Sequence, residues 1–171
     1  MPYKRGPNNT LRYYSKQNGK YCKDPQFNIA PIKQKLSGKE KEQLRRENIF
    51  QQAQRSKDKN LFLVFSFLET IDPGCVKHIN CFYCSNKTSR IREFDIITSR
   101  SIYEVKSGFA RHKAKQYLAQ IEVAKDLNKD HVVYSPGSTD YQVKCMRAEG
   151  IKIFNKFDEF KDYERDKKCK I

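Results

Sequence analysis

The order of apolar, polar and turn-forming residues implies an α/β domain, a central mixed β-sheet flanked by helices, preceded by a basic arm. Residues 94–105 hold two short apolar runs, Phe94–Ile97 and Ile102–Val105, on either side of Thr98-Ser99-Arg100-Ser101, the pattern of an antiparallel hairpin. Beyond it, helical spacing over 109–127 and 139–149 alternates with short apolar runs at 131–134 and 151–154, the alternation of an α/β sheet. Residues 1–39 differ from both: they carry nine basic residues against the single acid Asp24, several prolines, and no clean periodicity.

Taken in order, the elements are these. Residues 1–39 read as an extended or weakly ordered arm in which Tyr3, Tyr13, Tyr14, Tyr21 and Phe27 interleave with lysines and arginines. Residues 40–157 read as the domain. Glu40–Arg55 is rich in helix formers, with Leu44, Ile49, Phe50 and Ala53 as its apolar stripe and Ser37 as cap in the Ser-X-X-Glu arrangement. Leu61–Phe67, almost continuously apolar, reads as a central strand. A Cys/His-rich loop at 73–86 opens on Pro73-Gly74, and the hairpin follows. Ala110, Ala114, Leu118, Ile121 and Ala124 recur at helical steps, and Ser135-Pro136-Gly137 ends the next strand. Thr139 or Ser138 caps the second helix and Gly150 stops it. Residues 158–171 read as a charged tail, a frayed helix.

The hairpin carries charge where strands are usually apolar. If Thr98–Ser101 turn the chain, Asp95 lies directly opposite Glu104, with Cβ atoms only ~5 Å apart, and like charges in that position are destabilising unless neutralised. Period-two alternation puts Lys106 on the same face. A divalent cation between the acids would neutralise them, and Mg²⁺ bound by one or two carboxylates polarises a phosphoryl oxygen and acidifies a bound water. The lysine beside it can orient that water or stabilise developing charge.

This Asp…Glu-X-Lys pattern, Asp95 with Glu104-Val105-Lys106, resembles the core of the PD-(D/E)XK nuclease superfamily, the restriction-endonuclease-like fold. Phe94 stands where the superfamily's name has proline. The resemblance implies an αβββαβ core with a further αβ, and a nuclease hydrolysing phosphodiester bonds with Mg²⁺ or Mn²⁺ held by Asp95 and Glu104. It also implies an acid from the helix ahead of the first strand, for which Glu47 fits best, Glu42 and Glu40 being the alternatives. Several branches take a glutamine or lysine from the helix after the hairpin to hold the attacking water or a phosphate. Gln116 and Gln120, one turn apart on one face, match it.

Composition points to the same partner. With 35 Lys and Arg against 20 Asp and Glu, the chain is at +15, the electrostatic footprint of a nucleic-acid binder, with DNA ahead of RNA. Arg111, Lys113 and Lys115 make the start of the helix after the hairpin basic, against the macrodipole preference, beside the candidate phosphate site. His112 among them is a candidate general base. Arg12, Lys16 and Lys20 of the arm could track phosphates while its aromatic rings stack on unpaired bases. Cys75, His78, Cys81 and Cys84 follow at two-residue gaps, ligand types that a structural Zn²⁺ takes tetrahedrally, although a reversible Cys81–Cys84 pair or inert thiols would use the same residues. No apolar run long enough for a signal peptide or membrane span is present, and the thiols suit a reducing compartment, so a cytoplasmic protein is expected, with a homodimer left open. Two other functions share these features: a nucleic-acid-binding protein of the same fold that does not cleave, and a zinc-stabilised interaction protein.

Overall fold

Ser37 and Glu40 form the reciprocal cap that their spacing implied, each side chain accepting the other's backbone N–H at the head of α1 (Gly38–Arg55). A computed structural model describes residues 13–17, 20–23, 37–84, 91–108 and 113–169. After α1 come α2 (Lys59–Ile71), β3 (Val76–Cys84), β4 (Ile91–Thr98), β5 (Ser101–Val105), α3 (Ala114–Asp126), β6 (Asp130–Tyr134), α4 (Asp140–Ala148), β7 (Ile153–Phe154) and α5 (Phe157–Cys169), and before it lie β1 (Tyr13–Gln17) and β2 (Lys20–Lys23).

The strands lie in the order β2-β1-β3-β4-β5-β6-β7. Pairing is antiparallel from β3 to β5 and parallel from β5 to β7, so the five strands β3–β7 form a mixed sheet. The expected arm therefore contributes β1 and β2 to the β3 edge, and the rest of residues 1–36 lies outside the described residues. On one face, α1, α2 and α5 cover Ile79, Ile96, Tyr103, Val105, Val132 and Tyr134. On the other, α3 and α4 cover Ile97, Ile102, Val133 and Ile153. This is an α/β domain with helices on both faces. No helix among the described residues is long and apolar enough to cross a membrane.

Three expectations are corrected. Leu61–Phe67 is not a strand but the middle of α2. Its buried residues Leu61, Val64, Phe65 and Leu68 fall at three- and four-residue steps, and Asp58 caps it by accepting the amides of Asn60 and Leu61. The run looks unbroken because half-buried Phe62 and exposed Leu63 are apolar too, which imitates a central strand. The first strand of the mixed sheet is instead β3, inside the segment expected to be a Cys/His-rich loop. The order α2-β3-β4-β5-α3-β6 still reads helix, three strands, helix, strand. Finally, residues 158–169 are not a tail: Phe160 of α5 is fully buried among Phe67, Tyr103, Tyr134 and Phe154.

Within β3, Asn80 has a left-handed backbone, φ 48°. Strand side chains two apart normally share a face. Here Ile79 packs in the cluster under α1 and α2, whereas Cys81 packs in the cluster under α3. The kink at Asn80 lets β3 serve both sides.

Candidate active site

The hairpin turn is fixed by Thr98, whose hydroxyl accepts from the amides of Ser101 (2.9 Å) and Arg100 (3.3 Å) and donates to Ser101 O. The Lys129 ammonium closes it by donating to Thr98 O at 2.6 Å. That turn sets the register Ile97 to Ile102 and Ile96 to Tyr103. Continuing it places Asp95 against Glu104, as the sequence implied. At this point the strands part. The Val105 amide, instead of joining the ladder, donates to Asp95 Oδ2 at 2.7 Å.

Glu104 is 2% exposed and fully partnered. Lys106 Nζ lies 2.7 Å from its Oε1 and 3.8 Å from Asp95 Oδ2. Gln116 Nε2 donates to Glu104 Oε1 at 3.2 Å, and Gln120 Nε2 donates to Oε2 at 2.9 Å. Gln120 also reaches Glu93 O at 3.1 Å, tying α3 to β4 across the site. Lys106 keeps 32% of its side chain exposed and Asp95 16%, so the ammonium and the second carboxylate form the mouth of the site, and Glu104 its floor.

Electrostatics follow from this geometry. Burial, reinforced by Glu104 opposite, pushes the Asp95 carboxyl up to about 7, against the opposing pull of Lys106 and the Val105 amide. Burial likewise raises Glu104, while Lys106 and Gln120 hold it down. For Lys106 burial works toward the neutral amine, but the two carboxylates outweigh it and the net shift is upward. Near neutral pH the group is thus a lysine cation between two acids that compete over a proton. Added positive charge at the mouth would favour ionising both.

A divalent ion fits this donor set in kind: two hard carboxylates on adjacent strands, one of them partly exposed, suit Mg²⁺ or Mn²⁺. Among the described residues, no group of three or more His, Cys, Asp or Glu side chains gathers as a full metal cage, and Mg²⁺ needs none.

The other expected site residues fall as follows. Gln116 and Gln120 do share a face, but they hold Glu104 itself. Glu47 is exposed on α1, accepts from Gln43 at 3.1 Å, and borders a cleft of about 450 Å³ with Arg46, Ile49, Phe50 and Glu69. It is not brought to the carboxylates, because its spacing was counted from a strand that is a helix. Lys113 and Lys115 are exposed at the start of α3. Arg12, Arg111 and His112 lie outside the described residues, as do the side chains of Lys16, Lys20 and Cys84. The expected zinc ligands are strung along β3 and its approach, with Cys75 and Cys81 about 20 Å apart along an extended chain and in different core clusters. Among the described residues Cys75, His78 and Cys81 are not brought together as one ligand group. Burial pushes the Cys75 thiol up to about 12.

No functional role was expected of Asp58, Asn60 and Ser107, which join the start of α2 to the end of β5, nor of Tyr117. Ser107 donates to Asp58 Oδ1 at 2.8 Å and accepts from Asn60 Nδ2 at 3.1 Å. Tyr117 is fully buried on α3, and its hydroxyl is pushed well above the usual phenol range by burial and by Glu104 and Asp95. Comparison with protein-family models, curated proteins and solved structures gives no match.

Proposed function

We propose that the protein is a metal-dependent nuclease of the PD-(D/E)XK kind, hydrolysing phosphodiester bonds of nucleic acid, DNA ahead of RNA. The observation that carries this reading is the meeting of Asp95, Glu104 and Lys106 at one partly open face, with Lys106 Nζ 2.7 Å and 3.8 Å from the two carboxylates. The net charge of +15 supports a polyanionic partner.

In this mechanism Asp95 and Glu104 would hold the cation, whose charge together with the Lys106 ammonium would favour ionising both acids, and Lys106 would face the phosphate. Bound Mg²⁺ supplies Lewis-acid polarisation of the phosphoryl oxygen and an acidified water. Gln116 and Gln120 fix both oxygens of Glu104, so the carboxylate need not reorganise as charge develops. Lys106 orients the water and offsets the charge gathering on the non-bridging oxygens. Exposed Lys113 and Lys115 at the start of α3 lie where flanking phosphates would be drawn.

The test is a panel of plasmid, linear duplex, single-stranded and branched DNA and RNA, with Mg²⁺, Mn²⁺ or chelator, alongside D95A and K106A. Ion-dependent cleavage lost in both variants is expected. Metal-independent cleavage, or variants as active as the wild type, would overturn the reading.

A further inference from the structure

The residue after Lys106 is tied to a helix nearly fifty positions earlier. Ser107 Oγ donates to Asp58 Oδ1 at 2.8 Å, and Asn60 Nδ2 donates to Ser107 Oγ at 3.1 Å. The same Asp58 oxygen accepts the amides of Asn60 (2.9 Å) and Leu61 (3.4 Å), so one atom both caps α2 and anchors Ser107. A helix cap alone needs only the local amides. The link to Ser107 is additional.

The loop after β6 holds the same segment from its other side. Lys106 N–H donates to Tyr134 O at 2.9 Å, and Ser135 Oγ donates to Gly108 O at 3.1 Å. Gly137 packs so closely that a Cβ there would lie 3.0 Å from both Ser107 O and the Gly108 carbonyl carbon. Residues 106–108 are thus gripped between the head of α2 and the β6 loop. A lysine has a long, flexible stem and reaches a fixed point only if its backbone is fixed, and small misplacements of a reacting group are costly in rate.

We propose that Asp58 is a positioning residue, acting through Ser107 to set the backbone from which Lys106 reaches the two carboxylates, with Asn60 holding the Ser107 hydroxyl in line. The inference rests on the nuclease reading of the Asp95–Glu104–Lys106 site. Asp58, Asn60 and Ser107 are partly open to water, so their bonds contribute little to global stability while controlling local geometry.

The experiment uses the full chain with S107A, S107T and D58N, and has two arms. The first measures Mg²⁺-dependent cleavage. S107A is expected to lower kcat about tenfold while KM, the Mg²⁺ dissociation constant and the melting temperature stay unchanged, and S107T, which keeps the hydroxyl, is expected to recover most of that loss. D58N keeps the acceptor and the cap and should follow S107T. The second arm needs no substrate: amide exchange at 106–108 should quicken about tenfold in S107A and return in S107T. Wild-type kcat in S107A, or a loss that S107T does not recover, overturns the proposal. If the wild-type protein cleaves nothing, the nuclease reading fails, and the exchange arm then decides the clamp: quickened exchange supports the grip of Asp58 on Ser107, and unchanged exchange overturns it.

Discussion

Two buried glutamates meet at the same strand, one on each face, and Glu104 is the one in the candidate site. Glu104 projects from β5 toward α3, and Glu164 of α5 reaches the opposite face of β5, where it accepts from the Tyr103 hydroxyl at 2.9 Å. Burial raises both carboxyls. Glu104 is met by an ammonium and two amides, with a second carboxylate beside it, and the group opens to solvent through Lys106 and Asp95. Glu164 has one partnered oxygen and one, Oε1, buried without a hydrogen bond. A perturbed acid alone therefore says little about chemistry. Convergence of donors and an open side distinguish Glu104.

The largest expected effects test that contrast directly. E104Q and K106A should each lower ion-dependent cleavage by about 10³-fold or more, whereas E164Q should leave the rate unchanged. Comparable losses in all three variants would erase the distinction between the two glutamates. Next in size is the dependence of metal binding on pH. Asp95 must lose its proton to hold the ion, so Mg²⁺ affinity measured by calorimetry should fall about tenfold per pH unit below about 7 and level off above it. A flat profile would mean that the proton does not reside at this pair.

A smaller effect concerns stability without metal. Because the Asp95 carboxyl is raised from 3.8 to about 7 in the folded protein, its favourable contribution is complete below the unfolded value and is lost as pH rises through about 7. D95N should therefore be more stable than the wild type at pH 8, by on the order of 2–4 kcal/mol in denaturant melts, while being inactive. His131 works in the opposite sense. Buried on β6 against Tyr117 with neither ring nitrogen hydrogen-bonded, it is pushed down to about 4. The unfolded chain protonates it from about 6.5 downward, so its stabilising share is present above that pH and drains away toward pH 4. H131F should remove about 2 kcal/mol of that acid sensitivity at pH 5. Melting curves of H131F and wild type that fall in parallel between pH 7 and 4.5 would disprove it.

Legibility in the sequence followed the range of the forces involved. The register that faces Asp95 with Glu104 was readable because the Thr98 turn and the alternation are local. The caps at Ser37 and Thr139 were readable for the same reason, both side chains bonding three residues ahead. The α2 run was misread because Leu61–Phe65 is unbroken by a polar residue, and the polar positions Ser66, Glu69 and Thr70 come late. The docking of α5 was missed, though its helical form was expected, because charge dominates Phe157–Cys169 and hides the deep anchor Phe160. Cys and His in β3 drew attention to ligand chemistry and away from the Val76, Ile79 and Tyr83 that make it a strand. Asp58 and Asn60 could not be found from spacing at all, since only folding carries them to Ser107.

The left-handed residue at position 80 makes β3 behave as two short rods in series. An L residue other than asparagine or aspartate resists that backbone, so N80V would press the strand toward regular pleating and set its two halves in competition for one layer of the core. The inner rod would keep its seat while the outer rod, with residues 92–94 beside it, would have to swing. The seat of the outer half of β3, and with it of Phe94 paired to Cys81, is thereby written into one backbone angle.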